Sequence, residues 1–351
     1  GELDRTAFQL RSFATWVESG GAQPVLDEPA QAGVPPVGRP RLTRVAVPLG
    51  PVAVFAASNF PFAFSVLGGD TASALAAGCP VVVKAHPGHP ALSTAVVDLA
   101  QRTLRELGWP TGTLQAVQGG APAVGVALVR DPAVAAVAFT GSTAGGLALW
   151  REAQARPRPI PFYGELGAVN PVVALPSALQ ARSAELASTL AGSVVLGCGQ
   201  FCTRPGVVLV PQGDLGLAFE QQLTAALAAT RPHAMLHAGI RAAFNTHVAR
   251  LHGHGAVKTL LAAPAGDETP GAHLFATDAA AFLADGALRE EVFGPCCLLV
   301  RVRDLDEARA VLLAVEGSLT VTLWGADDDT PEHRRLIATA QQVAGRVLFS
   351  G

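Results

Sequence analysis

The chemistry this sequence can offer starts at Cys202. In Gly197-Cys198-Gly199-Gln200-Phe201-Cys202-Thr203-Arg204-Pro205-Gly206, two cysteines stand among glycines directly after an apolar stretch. Small neighbours let a substrate come close to sulfur, and a thiolate is a strong nucleophile. Cys202 is therefore a nucleophile candidate, against the alternative that both thiols are small buried hydrophobes. Cys198 keeps that second reading. Glu165, in Pro161-Phe162-Tyr163-Gly164-Glu165-Leu166-Gly167, is a carboxylate in an apolar, glycine-flanked segment. Burial there raises a carboxylate's pKa and suits it to general-base work; a solvated loop acid is the alternative. Asn59 ends an apolar run in Ala57-Ser58-Asn59-Phe60-Pro61-Phe62. Its amide can donate to a developing oxyanion or simply serve the turn before Pro61.

A second group of residues suits phosphates and sugars. Phe139-Thr140-Gly141-Ser142-Thr143-Ala144-Gly145-Gly146 follows an apolar run and opens a helix-like stretch. Free N–H groups and the helix dipole there can receive a pyrophosphate, although the spacing is not G-x-G-x-x-G. Lys84 ends another apolar run before Ala85-His86-Pro87-Gly88-His89, where it either meets a ribose or phosphate or simply leaves for solvent. Glu290-Glu291-Val292-Phe293-Gly294-Pro295 is by itself only a loop. Two histidine pairs, His233 with His237 and His252 with His254, lack the further ligands of a zinc site, so no metal is expected.

The elements that must position these residues follow from periodicity. Short β-branched runs alternate with longer Ala/Leu-rich stretches: 52–57 then 65–77, 81–84 then 92–107, 115–118 then 121–130, and 134–139 then 143–155. Four consecutive strand-helix units require parallel strands with right-handed crossovers and a ligand at the strands' carboxyl ends. Asn59, Lys84 and Thr140 to Ser142 fall there. Residues 5–18 read as a polar helix and 20–48, rich in Pro and Gly, as an extended connection. The proline-rich Arg156 to Pro161 precedes a second series, with helices at 177–196, 216–230, 240–251, 305–315 and 331–343 and strands at 207–210, 298–302, 320–324 and 346–349. Cys296 and Cys297, adjacent at a strand start, must point to opposite faces.

Composition narrows the function. With 351 residues, 50% hydrophobic and 15% charged, the chain can build two cores and is not disordered. Only 6% of residues are aromatic and 37 are Gly, which favours close helix-to-sheet packing in an α/β fold. A net charge of -3 without a basic run leaves nothing to neutralise nucleic acid or an anionic membrane. Apolar stretches are interrupted before they reach spanning length, so no membrane segment is expected. Five cysteines without a regular spacing fit a reducing, cytoplasmic compartment. Both ends read as cut, since the chain opens without Met and stops just after an apolar run.

Taken together and in order, these motifs resemble the aldehyde dehydrogenase superfamily from about Val47 to Gly351. Asn59-Phe60-Pro61, Lys84, Phe139 to Ser142, Glu165-Leu166-Gly167, Gly199 to Cys202 and Glu291 to Pro295 stand where that family has its successive motifs. Ala57 to Pro61, Gly68 to Leu75 and Lys84 to Pro90 look most like the branch of α-ketoglutaric semialdehyde (2,5-dioxovalerate) dehydrogenases and related NADP-using enzymes. Ser58 and Ala168 depart from the wider family and agree with that branch.

The resemblance implies a Rossmann-type parallel-sheet domain at 1–166 that binds NAD(P) and lacks its N-terminal part. It implies an α/β catalytic domain at 167–345 and, at 346–351, the start of a C-terminal return segment. It makes Cys202 the nucleophile on a small aldehyde substrate, with the Asn59 amide and the Cys202 N–H receiving the oxyanion and Glu165 deprotonating the water that hydrolyses the thioester. Gly141 and Ser142 would contact the pyrophosphate, Lys84 the adenosine ribose and Glu291 the nicotinamide ribose, with Phe293 packed nearby. Pro87 stands where many NAD-preferring members carry a glutamate; without that charge a 2′-phosphate is permitted, so NADP is favoured and NAD remains open. The full-length protein is expected to be a homo-oligomer. Other readings are a CoA-acylating aldehyde dehydrogenase, against which Glu165 speaks, a non-catalytic nucleotide-binding or assembly protein, and a cysteine hydrolase, which would need a histidine base that is not near Cys202 in sequence.

Overall fold

The computed structural model describes residues 1–349 apart from 267 and 316, so the last two residues of the 346–351 segment lie outside the described residues. The chain forms two compact units that divide between Leu166 and Gly167.

The first unit opens with α1 (Glu2–Glu18) and a ribbon of β1 (Val25–Glu28) and β2 (Leu42–Val45), then builds one layered sheet. Its elements are β3 (Val52–Phe55), α2 (Gly69–Ala76), β4 (Val81–Lys84), α3 (Pro90–Glu106), β5 (Leu114–Val117), α4 (Pro122–Arg130), β6 (Ala136–Thr140), α5 (Thr143–Gln154) and β7 (Phe162–Glu165). The strand order is β5-β4-β3-β6-β7 and every pairing is parallel. Order reverses between β3 and β6, which is where an open α/β sheet leaves a crevice outside its carboxyl ends.

All four residues of β3 are buried because both faces of the sheet are covered, which explains its unbroken apolar run. Val52, Val54, Val81, Val83, Ala136 and Ala138 face one helical layer, while Ala53, Phe55 and Val137 face Val129, Leu149 and Ala153 on the other. The helix expected from residue 65 begins only at Gly69. A Cβ on Gly68 would lie 2.4 Å from the Ala63 carbonyl oxygen, and this close backbone approach holds residues 60–68 in successive turns.

One reading is corrected in this unit. Residues 20–48 are not merely an extended connection: β1 and β2 pair antiparallel from Val25 with Val45 to Glu28 with Leu42. Arg41 and Thr43 both donate to the Asp27 carboxylate across the ribbon. With nearly every ribbon residue exposed, no alternation of apolar and polar residues marks these strands in the sequence.

The second unit contains β8 (Val172–Ala174), α6 (Pro176–Val195), β9 (Val207–Pro211), α7 (Asp214–Ala228), α8 (Ala238–His252), β10 (Lys258–Ala262), β11 (His273–Asp278), α9 (Ala279–Ala284), β12 (Cys296–Val302), α10 (Leu305–Ala314), β13 (Ser318–Trp324), α11 (Pro331–Val343) and β14 (Ala344–Leu348). The sheet order is β10-β11-β12-β9-β8-β13-β14, antiparallel only between β10 and β11. Cys296 lies in the core on one face and Cys297 in the core on the other, as adjacent strand residues must. The short β8, β10 and β11 have no counterpart in the sequence reading. Arg301 of β12 grips the buried Glu220 of α7 with two hydrogen bonds of 3.1 and 2.6 Å, so that this carboxylate is paired inside the fold.

Candidate active site

In the first unit the expected residues gather at the carboxyl ends of the parallel strands. Asn59 follows β3, Lys84 ends β4, Gly141 and Ser142 follow β6, and Glu165 ends β7. The Asn59 segment is braced from α1: the Glu2 carboxylate accepts from the Phe62 and Ala63 N–H groups at 2.7 and 2.8 Å. The Arg5 guanidinium lies over the Phe60 and Phe64 rings, 5.6 and 4.9 Å from their centroids. His89 holds the Ala57 carbonyl at 2.9 Å through Nε2. Thus His89, which the sequence grouped with Lys84, acts locally on the end of the Asn59 strand.

Thr140 and Glu165 are register partners on β6 and β7, and the Gly141 N–H donates to the Glu165 carbonyl at 3.0 Å. Asp70, in the first turn of α2, was not singled out in the sequence. Burial, reinforced by the Glu165 charge, holds its carboxyl above the usual range, and a hydrogen bond with the Thr140 side chain works against this. Glu165 is itself half-buried.

A dinucleotide fits this end of the sheet. Gly141 and Ser142 are exposed at the start of α5, next to the strand-order reversal. A Cβ on Gly141 would come within 3.0 Å of the Phe139 ring, so glycine keeps the backbone turn open here. The Ser142 hydroxyl caps α5 by accepting from the Gly145 N–H at 3.3 Å. Lys84 donates to the Ala85 carbonyl at 2.8 Å, and burial lowers its pKa.

In the second unit Cys202 lies in a turn over Phe201 to Arg204, closed by the Arg204 N–H on the Phe201 carbonyl at 3.1 Å. None of the five cysteines is in a disulfide, and only Cys202 is not buried. Burial pushes the Cys198 thiol up to about 11, and Cys296 and Cys297 up to about 12. The Cys198 thiol donates to the His233 carbonyl at 3.1 Å. Deeply buried thiols of this kind are poor nucleophiles, which leaves Cys202 as the reactive candidate.

The structure brings the Cys202 and Glu291 segments together. They lead into β9 and β12, which are parallel neighbours. Buried Arg204 donates to the carbonyls of Val292, at 2.8 Å, and of Cys296. Gly199 has φ +66, and a Cβ there would lie 2.2 Å from the Gly294 carbonyl carbon. Gly199→Ala must therefore push the two segments apart and strain its own backbone. Its expected cost is about 3 kcal/mol, read as a lower urea midpoint, and wild-type stability in this variant would contradict the contact.

Glu291 and Phe293 are both half-buried. Burial pushes Glu291 up from 4.5 to about 7, opposed by Arg204 and by a hydrogen bond from the Ala168 backbone. Between those values the folded chain keeps a proton that the unfolded chain releases, so this group's contribution to stability falls as pH rises from 4.5 to about 7. Glu291→Gln is expected to flatten that part of the stability profile in denaturant titrations, and an unchanged slope would show that Glu291 does not cause it.

Two residues that sequence reasoning passed over lie beside Cys202. Asn170, which precedes Pro171, is buried and bonded to the Cys202 turn. Arg204, two residues after Cys202, is only 2% exposed. Among the described residues no group of three His, Cys, Asp or Glu side chains is placed to hold a metal ion. His237 caps α8 and His254 pairs with Asp285. No helix among the described residues is long and apolar enough to cross a membrane.

A family model described as Aldehyde dehydrogenase family matches residues 2–343. The chain is 46% identical over 353 residues to Alpha-ketoglutaric semialdehyde dehydrogenase 2 of Azospirillum brasilense, covering 100% of this chain and 67% of that protein. It is 39% identical to Alpha-ketoglutaric semialdehyde dehydrogenase of Acinetobacter baylyi, again over 100% of this chain and 67% of the relative. The chain thus spans about two thirds of the length of these curated relatives. Among solved structures, NADP-dependent glyceraldehyde-3-phosphate dehydrogenase from Bacillus halodurans, complexed with NADP, superposes with a TM-score of 0.79 at 21% identity, covering 99% of this chain and 70% of that one. The ordered motifs, the two sheets that carry them and this family match together establish that the chain belongs to the aldehyde dehydrogenase family of oxidoreductases.

Proposed function

We propose that this chain carries the catalytic machinery for NAD(P)-dependent oxidation of a small semialdehyde to its acid, with α-ketoglutaric semialdehyde going to 2-oxoglutarate. The observation that carries the reading is Cys202: it is the accessible thiol of the five, held in a turn among glycines, in a chain similar over its whole length to two semialdehyde dehydrogenases. The Cys202 thiolate adds to the aldehyde carbon, forming a C–S bond and an oxyanion that the Asn59 amide and the Cys202 N–H receive. When bound, the nicotinamide supplies the two-electron oxidation by accepting hydride. The resulting thioester is attacked by water as Glu165 takes a water proton, the C–S bond breaks, and the acid leaves with the thiolate restored.

Gly141, Ser142 and the start of α5 would hold the pyrophosphate, Lys84 the adenosine ribose, and Glu291 with Phe293 the nicotinamide ribose. NADP is the proposed preference, because Pro87 offers no carboxylate to repel a 2′-phosphate. Five cysteines without a disulfide support a reducing, cytoplasmic compartment. A homo-oligomer is proposed for the whole protein: the β1–β2 ribbon leaves Val25, Leu26, Leu42 and Val45 exposed, and an isolated two-stranded ribbon is marginal in water.

The test is NADPH or NADH formation with α-ketoglutaric semialdehyde and a panel of simple aldehydes, with free CoA added in a parallel series. Acid formation without CoA, fastest with the semialdehyde and NADP, supports the reading. A strict requirement for CoA would replace it with acyl transfer to a thiol.

A further inference from the structure

We propose that Asn170 is the positioning residue of the nucleophile turn. It fixes the Cys202 backbone from the segment just before β8 of the second unit's sheet. Asn170 is 2% exposed and immediately precedes the segment leading into β8. Its Nδ2 donates to the Cys202 carbonyl at 2.8 Å and to the Arg204 carbonyl at 3.0 Å. Its Oδ1 accepts from the Thr320 N–H at 3.2 Å and from the Thr320 hydroxyl at 3.4 Å. Its own N–H donates to the Ser318 hydroxyl at 3.2 Å. The partners leave one orientation for the amide: two carbonyls require the NH₂ group on one side, and a backbone N–H requires the oxygen on the other.

These contacts do something that packing alone would not. The Phe201 to Arg204 turn is closed by one internal hydrogen bond, and Cys202 occupies its second position. Holding the carbonyls of Cys202 and Arg204 from outside fixes one peptide plane within the turn and the plane that leaves it, and with them the direction of the Cys202 side chain. The anchor is rigid, since Thr320 lies in β13 between two sheet neighbours. Asn170 also sits at φ +44, where Asn is tolerated and most side chains are strained. Both the amide and the backbone conformation therefore select this residue type. Asn170 touches no reacting atom in this account; it acts through Cys202, so the proposal rests on Cys202 being the nucleophile.

The experiment uses the full-length protein and two variants that tolerate the positive φ. Asn170→Gly removes the amide and keeps the backbone unstrained. Asn170→Asp keeps the acceptor for Thr320 and turns a carboxylate oxygen toward the two carbonyls. In folded, NADP-binding protein both are expected to lower kcat about 100-fold with little change in the aldehyde KM, because misalignment of a bound pair is what is lost. Alkylation of Cys202 by iodoacetamide, followed by peptide mass, is expected to stay within about threefold of wild type, because a freely diffusing reagent needs no fixed approach. Wild-type kcat in either folded variant overturns the proposal, as does a loss of kcat that only tracks loss of folded protein. If neither variant folds, Thr320→Val, which removes one hydroxyl donor to Oδ1, is expected to lower kcat about threefold, and an unchanged kcat there overturns it. Cys202→Ala run alongside separates the two levels: turnover that survives it disproves the nucleophile assignment itself, whatever Asn170 does.

Discussion

Cys202→Ala is expected to abolish aldehyde oxidation, with a loss on the order of 10⁴-fold or more, because in the proposed mechanism it removes the atom on which both half-reactions take place. No other thiol can stand in. Cys198, Cys296 and Cys297 are buried, and their ionisation is pushed to about 11 or 12, so they supply negligible thiolate at neutral pH. Cys79 is buried beneath the first unit's sheet, among Val52, Val81 and Leu114. The fold is expected to be unaffected, since Cys202 is only half-buried, Asn170 holds its backbone carbonyl, and the turn is closed by the Arg204 N–H on the Phe201 carbonyl. NADPH absorbance measures the loss, and intact mass after brief iodoacetamide treatment shows whether the adduct disappears with it. Residual turnover above about one part in a thousand would move the nucleophile elsewhere.

Glu165→Gln is expected to separate the two half-reactions. In the proposed mechanism thiohemiacetal formation and oxidation do not need the carboxylate, so each site should release one reduced nicotinamide in a burst. Steady turnover should then fall by about 10² to 10⁴-fold as the thioester waits for an activated water. The trapped acyl group would appear as added mass on the Cys202 peptide. The substitution nearly preserves shape, and Glu165 stays at the end of β7 with its carbonyl held by the Gly141 N–H. It also removes the charge that, after burial, raises Asp70, so the Asp70 carboxyl should ionise more readily in this variant. A variant that shows no burst and no steady rate would mean that Glu165 acts before the thioester forms. Unchanged turnover would remove it from the mechanism.

Much of this arrangement is legible before any coordinates. The alternation of apolar strands with Ala/Leu-rich helices forces a parallel sheet in the first unit, and Asn59, Lys84 and Gly141 fall at strand ends by position alone. The residues 81–84 expected as a strand are those of β4, and the 331–343 helix is α11. The ribbon of β1 and β2 was hidden because exposure on both faces leaves no alternation. Short strands such as β8, three residues buried on all sides, cannot be told from a loop flanked by prolines.

The sequence by itself determined the types and order of the reactive groups and the local elements that carry them, because helix and strand periodicity is written within ten or fifteen residues. Which groups are accessible and which are held was decided only in three dimensions. Five cysteines look alike in sequence until folding buries four. Asn170 meets Cys202 across 32 residues and Thr320 across 150. Gly199 is required because the backbone of Gly294 passes within a Cβ's reach. Burial and hydrogen-bond partners of this kind belong to segments far apart in the chain, and no local pattern records the packing that brings them together.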